Sequence, residues 1–187
     1  MKPMAIALMV VGLSACGSSG GDGPAAPLPE TPPTPAPTPT PPAPVVGCND
    51  ELTPLLQAVN AARAAGQHCG SDWYPAVPAL SAHAQLQQAA LGHSANMANY
   101  DFFDHTDLDG HSVADRVNAQ GYQWRAVGEN IAAGYGSVDA VMAGWLASPG
   151  HCRNIMSANY QQLGLACVSN SSSRYHQYWT QVFASPR

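Results

Sequence analysis

Residues 17–47 limit what this chain can fold into, because they contain almost no bulky apolar side chains and are dominated by Gly, Pro and Thr. A segment of this composition cannot bury enough surface to offset the entropy of ordering its backbone. Proline also favours an extended polyproline conformation, in which roughly 20 residues reach about 60 Å at ~3.1 Å per residue. We therefore predict a disordered spacer over 17–47 and a single folded domain over 48–187.

The first 16 residues have the pattern of a bacterial lipoprotein signal peptide. Lys2 precedes an apolar run over 5–13, which is much shorter than the ~20 residues that a membrane-spanning helix needs. The run ends in Leu-Ser-Ala-Cys, which resembles a lipobox, so Cys16 is the predicted lipidated residue. Its acyl chains would anchor the protein to a membrane, because each buried CH₂ contributes ~0.8 kcal/mol. We expect an extracytoplasmic protein, lipid-anchored to the bacterial envelope or secreted. Gly17, in place of an aspartate, favours the outer membrane.

The charge of the chain argues against nucleic acid as a partner. The net charge is −5, and the seven Lys and Arg residues form no cluster. Nucleic-acid binding and charge-driven adhesion to an anionic membrane both need grouped cations that neutralise phosphates. We expect a monomer whose contact with a membrane runs through the N-terminal lipid.

Apolar residues recur at helical spacing in four segments of the predicted domain. The first helix is predicted from Leu52 to a stop at Gly66, and the other three begin at serine caps. These caps are Ser81, Ser112 and Ser137. Asp115 stands three residues after the second of these caps, close to a capping box. The fourth helix is expected to end before Pro149, which removes a backbone donor.

The strands are predicted near the C-terminus. Residues 163–168 and 175–183 are rich in β-forming side chains and are joined by a polar loop. A further short strand is expected near 122–124 or 130–133. Helices come first and the main strands last, without βαβ alternation, which predicts an α+β fold with an antiparallel sheet.

Four cysteines lie in the predicted domain, and an even number in an exported domain indicates two disulfides. Three pairings are possible. We expect local bridges, because Cys48 and Cys69 bracket the first helix and Cys152 and Cys167 bracket a loop that enters a strand. The expected bridges are therefore Cys48–Cys69 and Cys152–Cys167. A bonded Cys152 is no thiolate, which argues against a Cys–His nucleophile with its neighbour His151.

Residues 105–110, His-Thr-Asp-Leu-Asp-Gly, resemble part of a calcium-binding loop. Such a loop needs a bidentate glutamate at its last position, where this chain has Arg116. An EF-hand is therefore rejected, and Asp107 and Asp109 are expected to bind an ion weakly at most.

Six motifs resemble the CAP superfamily, which includes cysteine-rich secretory proteins, antigen 5 and plant pathogenesis-related proteins. They are HxxxM at 93–97, FFDHTxxDG at 102–110, GENIA at 128–132, GWxxSPGHCxNIM at 144–156, LGLAC at 163–167 and YWTQVF at 178–183. Together these motifs cover nearly all of 50–185, in order, and they match the bacterial SCP-domain branch. The resemblance implies an α-β-α sandwich with a small antiparallel sheet between helical layers.

The resemblance also implies a cleft lined by two histidines and acidic residues, where some members bind zinc or another divalent metal. Carried over by motif, these residues are His105, Glu129 and His151. Many eukaryotic members add a second glutamate from the preceding helix, where this chain has only Asp139, so the four-residue set is incomplete. His93, on the apolar face of its helix, is predicted to be a core residue.

Two neutral imidazoles and a carboxylate make a suitable ligand set for Zn²⁺ and leave one position open for water. Bound water could then act as a nucleophile, which makes His105, Glu129 and His151 the candidate catalytic residues. Without a metal, Glu129 could orient an imidazole. In a purely structural role, Glu129 would bond backbone amides and the histidines would bridge loops.

These patterns lead to a functional expectation with two alternatives. We expect a non-enzymatic, envelope-anchored domain that binds a lipid, a sterol or another envelope component, with a divalent metal in its cleft as a further possibility. The first alternative is a hydrolase, protease-like or acting on the envelope, that uses the same three residues. The second is an adhesion module on a tether, since the fold alone does not define the function.

Overall fold

The computed structural model describes residues 46–187. The predicted signal peptide with Cys16, and the predicted linker up to residue 45, lie outside the described residues. No helix between residues 46 and 187 is both long enough and apolar enough to cross a bilayer.

Helices and short strands alternate in the first part of the described chain, and two long strands end it. In chain order the elements are β1 (Val46–Gly47), α1 (Leu52–Ala65), β2 (Gln67–Cys69), β3 (Asp72–Tyr74), β4 (Ser81–Ala82), α2 (Ala84–Tyr100), α3 (Val113–Ala119), β5 (Trp124–Ala133), α4 (Val138–Ala147), α5 (Pro149–Ile155), β6 (Gln162–Ser169) and β7 (Gln177–Pro186). A 3₁₀ turn, Asn49–Glu51, precedes α1. The strand β1 begins two residues before the predicted start of the domain.

The central sheet has the strand order β1-β6-β7-β5, and its neighbours in this order are antiparallel. The short strand β4 pairs with β6 in parallel, and β2 and β3 form a separate hairpin. The longest ladder joins β5 to β7, from Trp124 opposite Pro186 to Ala133 opposite Tyr178. The antiparallel sheet predicted from the sequence is confirmed, and β5 covers 130–133, one of the two positions considered for a further strand, but only the last residue of 122–124.

Helices cover both faces of this sheet. One core cluster joins α1, α4 and α5 to alternate residues of the sheet, such as Leu165 and Cys167, while α2 and α3 pack on the other face with Ala166. Successive β6 residues point to opposite faces of the sheet, and both sets are buried, so both faces of this strand lie in the core. At Gly164 a side-chain carbon would overlap the backbone of Leu86, so glycine is required for the close approach of α2. The fold is therefore α+β, an α-β-α sandwich.

Three of the four predicted helices begin and end close to the predicted positions. Ser112 caps α3 in a capping box with Asp115, and Ser137 caps α4 by accepting from the Ala140 amide. The cap predicted at Ser81 is wrong. The Ser81 and His83 amides donate to carbonyls at 161 and 163, so this backbone is committed to the sheet and α2 begins only at Ala84. The sequence analysis also missed α5, which starts at the proline expected only to end α4.

The disulfide pairing expected from the sequence is wrong, since the bridges are Cys48–Cys167 and Cys69–Cys152 instead of Cys48–Cys69 and Cys152–Cys167. The 14 residues of α1 separate the first two cysteines by about 21 Å at ~1.5 Å per residue. Antiparallel pairing instead places Cys48 opposite Cys167, where its amide donates to the Cys167 carbonyl at 3.0 Å. The β2–β3 hairpin packs on α5, which brings Cys69 to Cys152.

A tryptic digest without reductant tests this pairing, because the four cysteines fall on four different peptides. These are 1–63, 64–116, 126–153 and 154–174. We expect mass spectrometry to find the second peptide linked to the third and the first linked to the fourth. Local bridges would link the first to the second and the third to the fourth. Loss of either bridge should lower the free energy of unfolding by about 2–5 kcal/mol, because each closes a long loop.

Candidate functional site

His105 and Glu129 are in direct contact. His105 lies in the loop between α2 and α3, Glu129 lies on β5, and the His105 Nδ1–H donates to Glu129 Oε1 at 2.8 Å. The Glu129 side chain is 2% exposed, whereas the His105 side chain is 55% exposed. The imidazole therefore has one nitrogen fixed by a buried carboxylate while the ring itself is open to solvent.

Arg116 completes the ion pair at Glu129. Its Nη2 lies 2.6 Å from Glu129 Oε2 and donates to the His105 carbonyl at 3.1 Å, while Nη1 donates to the His111 carbonyl at 2.8 Å. A buried carboxylate needs an opposite charge and hydrogen bonds to remain ionised. Both oxygens of Glu129 are thus engaged, one by the guanidinium and one by the imidazole.

His93 lies beneath this pair, fully buried on α2. Its Nε2–H donates to the Asp104 carbonyl at 2.9 Å and lies 3.9 Å from Glu129 Oε1. Burial lowers the pKa of His93, and the nearby Glu129 carboxylate opposes that shift only in part. His93 is a core histidine, as the sequence predicted, and it supports the segment that carries His105.

His151 approaches from the other side, in the first turn of α5. It lines a cavity of about 240 Å³ together with His105, Phe103, Asp104 and Ile131. Burial, and secondly the proximity of His105, lower the pKa of His151. The structure thus brings both predicted histidines to one cavity and places Glu129 behind His105.

A second cavity, of about 310 Å³, adjoins the first. Phe103, Ile131 and His151 line both cavities. The remaining lining of the second cavity is mostly apolar or aromatic: Ala132, Ala133, Tyr135, Gly144, Trp145 and Ser148. We call the two cavities together the groove, which has an imidazole end and an apolar end.

Two asparagines join the halves of the site. Asn130 donates to the His151 carbonyl at 3.1 Å and to Gln181 Oε1 at 3.0 Å. Asn154 donates to the Glu129 carbonyl at 3.1 Å and to Asn130 Oδ1 at 2.9 Å. These bonds attach α5 to β5 and fix the position of the His151 backbone.

Sequence reasoning did not assign a role to Arg116 or to the asparagines. Asn130 and Asn154 stand inside the motifs GENIA and GHCxNIM, which was the available signal. Arg116 stands outside every motif, and its only signal was the scarcity of cations in a chain with seven Lys and Arg.

The arrangement bears on which residues can hold a metal. Each oxygen of Glu129 already has one partner, and the carboxylate fixes the Nδ1 proton of His105 and leaves Nε2 with the free lone pair, as partners of metal-binding histidines do. His105 and His151 can therefore offer nitrogen ligands to a cation, with Glu129 as their support.

A second group of potential metal-binding residues is more compact. Within residues 46–187, the one group of three potential ligands with atoms within 4.8 Å of each other is Asp107, Asp109 and His111. Asp107 Oδ1 accepts from the Asp109 and His111 amides, and Oδ2 lies 3.2 Å from His111 Nδ1. This loop could hold a metal ion, and it contains the two aspartates noted in the sequence.

Comparisons with known proteins agree with the fold. A profile of the cysteine-rich secretory protein family, CAP, matches residues 56–183. The chain is 32% identical to YkwD of Bacillus subtilis over 98 residues, which are 52% of this chain and 36% of YkwD. An extracellular SCP-domain protein of Bacillus anthracis superposes with a TM-score of 0.60 at 26% identity, over 73% of this chain and 40% of that one.

An outer surface protein of Borrelia burgdorferi superposes with a TM-score of 0.66 at 15% identity, over 76% of this chain and 98% of that protein, which bears on the fold alone. The matched structure of the SCP-domain protein has the fold of this chain, a sheet between helical layers. This chain belongs to the CAP family, since the family profile covers most of its length. The match to YkwD spans only 36% of that protein.

The two site histidines should titrate on opposite sides of the unperturbed value of ~6.5. The hydrogen bond to Glu129 is the largest cause that raises the pKa of His105, whereas burial lowers that of His151. NMR titration of the imidazole protons should show this order. In Glu129→Gln the pKa of His105 should fall, and Asp139→Asn, which changes a carboxylate in the first turn of α4, should leave it unchanged.

The free energy of unfolding should depend on pH in the direction set by the raised pKa of His105. A histidine with a raised folded-state pKa stabilises the fold fully below its unfolded pKa of ~6.5, and this contribution disappears as the pH rises through the folded value. The loss of unfolding free energy in His105→Gln should therefore be larger at pH 5.5 than at pH 8.5. An equal loss at both pH values would contradict the charged contact with Glu129.

Proposed function

We propose that this chain is an extracytoplasmic binding protein of the CAP family, and that its groove captures a component of the cell envelope. The observation that carries the proposal is the buried pair of Glu129 and Arg116, which orients the exposed imidazole of His105 at a cavity also lined by His151.

The cost of the ion pair supports a functional role. The side chains of Arg116 and Glu129 are 10% and 2% exposed, and buried pairs of this kind contribute little or nothing beyond what apolar side chains would give. A purely structural site would gain little from them. At the groove, however, they hold His105 in one orientation, and that orientation is useful to a bound ligand.

The lining of the groove supports a ligand with an apolar and a polar part. Its apolar end contains Tyr135 and Trp145, and its polar end contains the two histidines. Cavities of about 300 Å³ lie at the lower end of the range for small-molecule sites. A lipid or sterol tail, or the apolar side chains of another envelope component, would occupy the apolar end.

A divalent cation, zinc among them, fits the polar end. His105 and His151 would supply nitrogen ligands, and Glu129 would hold the Nδ1 proton of His105. When bound, such a cation would polarise an oxygen atom of the ligand.

Several features support the proposed cellular location. The two disulfides suit an oxidising compartment. The matching Bacillus anthracis protein is extracellular. Together with the lipobox ending at Cys16, these features support a protein held to the envelope by an N-terminal lipid, with the outer membrane favoured.

Zinc binding tests the polar end. In calorimetry of the full chain with Zn²⁺, His105→Ala and His151→Ala should each weaken binding by about tenfold or more, and Glu129→Gln by about 10- to 100-fold. His111→Ala is the matched control and should bind as wild type does. If His111→Ala alone removes binding, the cation occupies the loop of Asp107 and Asp109, and the proposed cation site is wrong.

A hydrolase is the second candidate, because a carboxylate that orients a solvent-open imidazole is also the geometry of a general base. We expect no turnover of casein or peptidoglycan by the full chain, and equal results for Glu129→Gln and Asp139→Asn. Turnover that falls about 10²-fold or more only in Glu129→Gln would replace the binding proposal with catalysis. An adhesion module would instead keep its partner in variants at 105, 129 and 151.

A further inference from the structure

The outer edge of β5 alternates between groups that face β7 and groups that face away. The Gly134 amide donates to the Gln177 carbonyl at 2.9 Å, and the register continues through Ala132 opposite Trp179. In an antiparallel ladder every second residue turns both its N–H and its C=O away from the partner strand. In this part of β5 the outward residues are therefore the odd-numbered ones, from 127 to 133.

Side chains cap three of the four outward carbonyls. The donors are Tyr160 Oη to Val127 at 3.5 Å, Asn154 Nδ2 to Glu129 at 3.1 Å, and Trp145 Nε1 to Ile131 at 3.3 Å. Such caps take the place of a neighbouring strand and protect an edge against unwanted pairing. Side chains thus cap the outward carbonyls up to residue 131, so none of these residues offers both a free donor and a free acceptor.

The caps stop at Ala133, where the groove lies. Among residues 46–187, no group donates to the outward carbonyl of Ala133 and none accepts from its amide. Ala133 is partly buried and lines the apolar end of the groove with Tyr135 and Trp145. A ligand that enters there meets one free donor and one free acceptor with the spacing of a β-strand.

We propose that the groove binds an extended peptide segment, which pairs with the free backbone edge of β5 at Ala133. This inference rests on the proposed function, because it uses the same groove, and it names the class of ligand. Main-chain hydrogen bonds at Ala133 would hold the segment, and its side chains would occupy the apolar end. From Ala133 toward Ile131 the indole of Trp145 covers the edge. The segment therefore leaves the strand there and crosses the indole toward His151.

The N-terminal part of this chain is a poor candidate for the occupant. It enters the domain at β1, on the sheet edge opposite to β5. Residues 24–44 also carry proline at every second or third position, and proline has no amide hydrogen to donate to a strand. The chemistry favours an extended segment of another protein of the envelope.

Two variants at one position isolate the backbone contact. Ala133→Pro removes the outward amide hydrogen but leaves the ladder with β7 intact, because proline is tolerated where its nitrogen faces away from the partner strand. Ala133→Ser keeps the amide and adds one small atom. A thermal unfolding curve of each variant establishes that the fold is retained.

The probe is a library of random heptapeptides displayed on phage and selected on the full chain. We expect enriched peptides to bind Ala133→Pro about three- to tenfold more weakly than wild type, as for one lost hydrogen bond, and Ala133→Ser unchanged. Hydrogen exchange of the Ala133 amide should slow when the synthetic peptide binds. Two further copies of the peptide carry N-methyl groups at its odd-numbered or at its even-numbered residues. Only one of the two copies should lose binding to wild type, because only every second peptide amide faces β5. This result tests the backbone pairing even if Ala133→Pro fails to fold.

No enrichment, or equal binding to wild type and Ala133→Pro, would overturn the peptide proposal. Palmitate and phosphatidylglycerol vesicles serve as the second arm. If they bind wild type and Ala133→Pro equally while no peptide is enriched, the groove is a lipid site, and the proposed function stands without this inference. If neither class binds, both proposals fail. Self-association that Ala133→Pro abolishes would assign the edge to a second copy of the chain.

Discussion

The antiparallel pairing of β5 with β7 is the constraint on which the site depends. It fixes the direction of each β5 side chain, so neighbouring residues serve opposite sides of the strand. Glu129 reaches the loop of His105, and Asn130 reaches the carbonyl of His151. Two segments far apart in sequence are thus attached to consecutive residues of one strand, and a slip of one residue would exchange their partners.

The burial of the Glu129 carboxylate and its two partners determine how it can act in the site. Arg116 and His105 each take one oxygen, so the carboxylate acts through the imidazole and not directly on a ligand. Three ligands at one metal were one reading of the sequence, and an oriented imidazole was another. In the structure the carboxylate contacts the imidazole of His105, which lines the polar cavity of the groove.

Local signals in the sequence predicted local structure well. Caps at Ser112 and Ser137 depend on residues three positions away, and both are found. The disulfides and Arg116 depend on which strands and loops meet, which no local pattern encodes. Both cysteine pairs were assigned by proximity along the chain, whereas the sheet and the hairpin bring together residues 119 and 83 positions apart. Family motifs located the two histidines and Glu129, because these residues lie within the motifs themselves.

The neighbouring residues His151 and Cys152 have separate roles. Cys152 is bonded to Cys69 and is buried, so it anchors the start of α5 to the hairpin, while Asn130 and Asn154 anchor the same helix to β5. The backbone of His151 is therefore held from two sides, but its ring makes no hydrogen bond to any residue from 46 to 187. His105 is the opposite case, with a ring fixed by Glu129 on an open loop. The groove thus combines one imidazole that Glu129 orients with one whose ring is held only by packing and by the fixed backbone of α5.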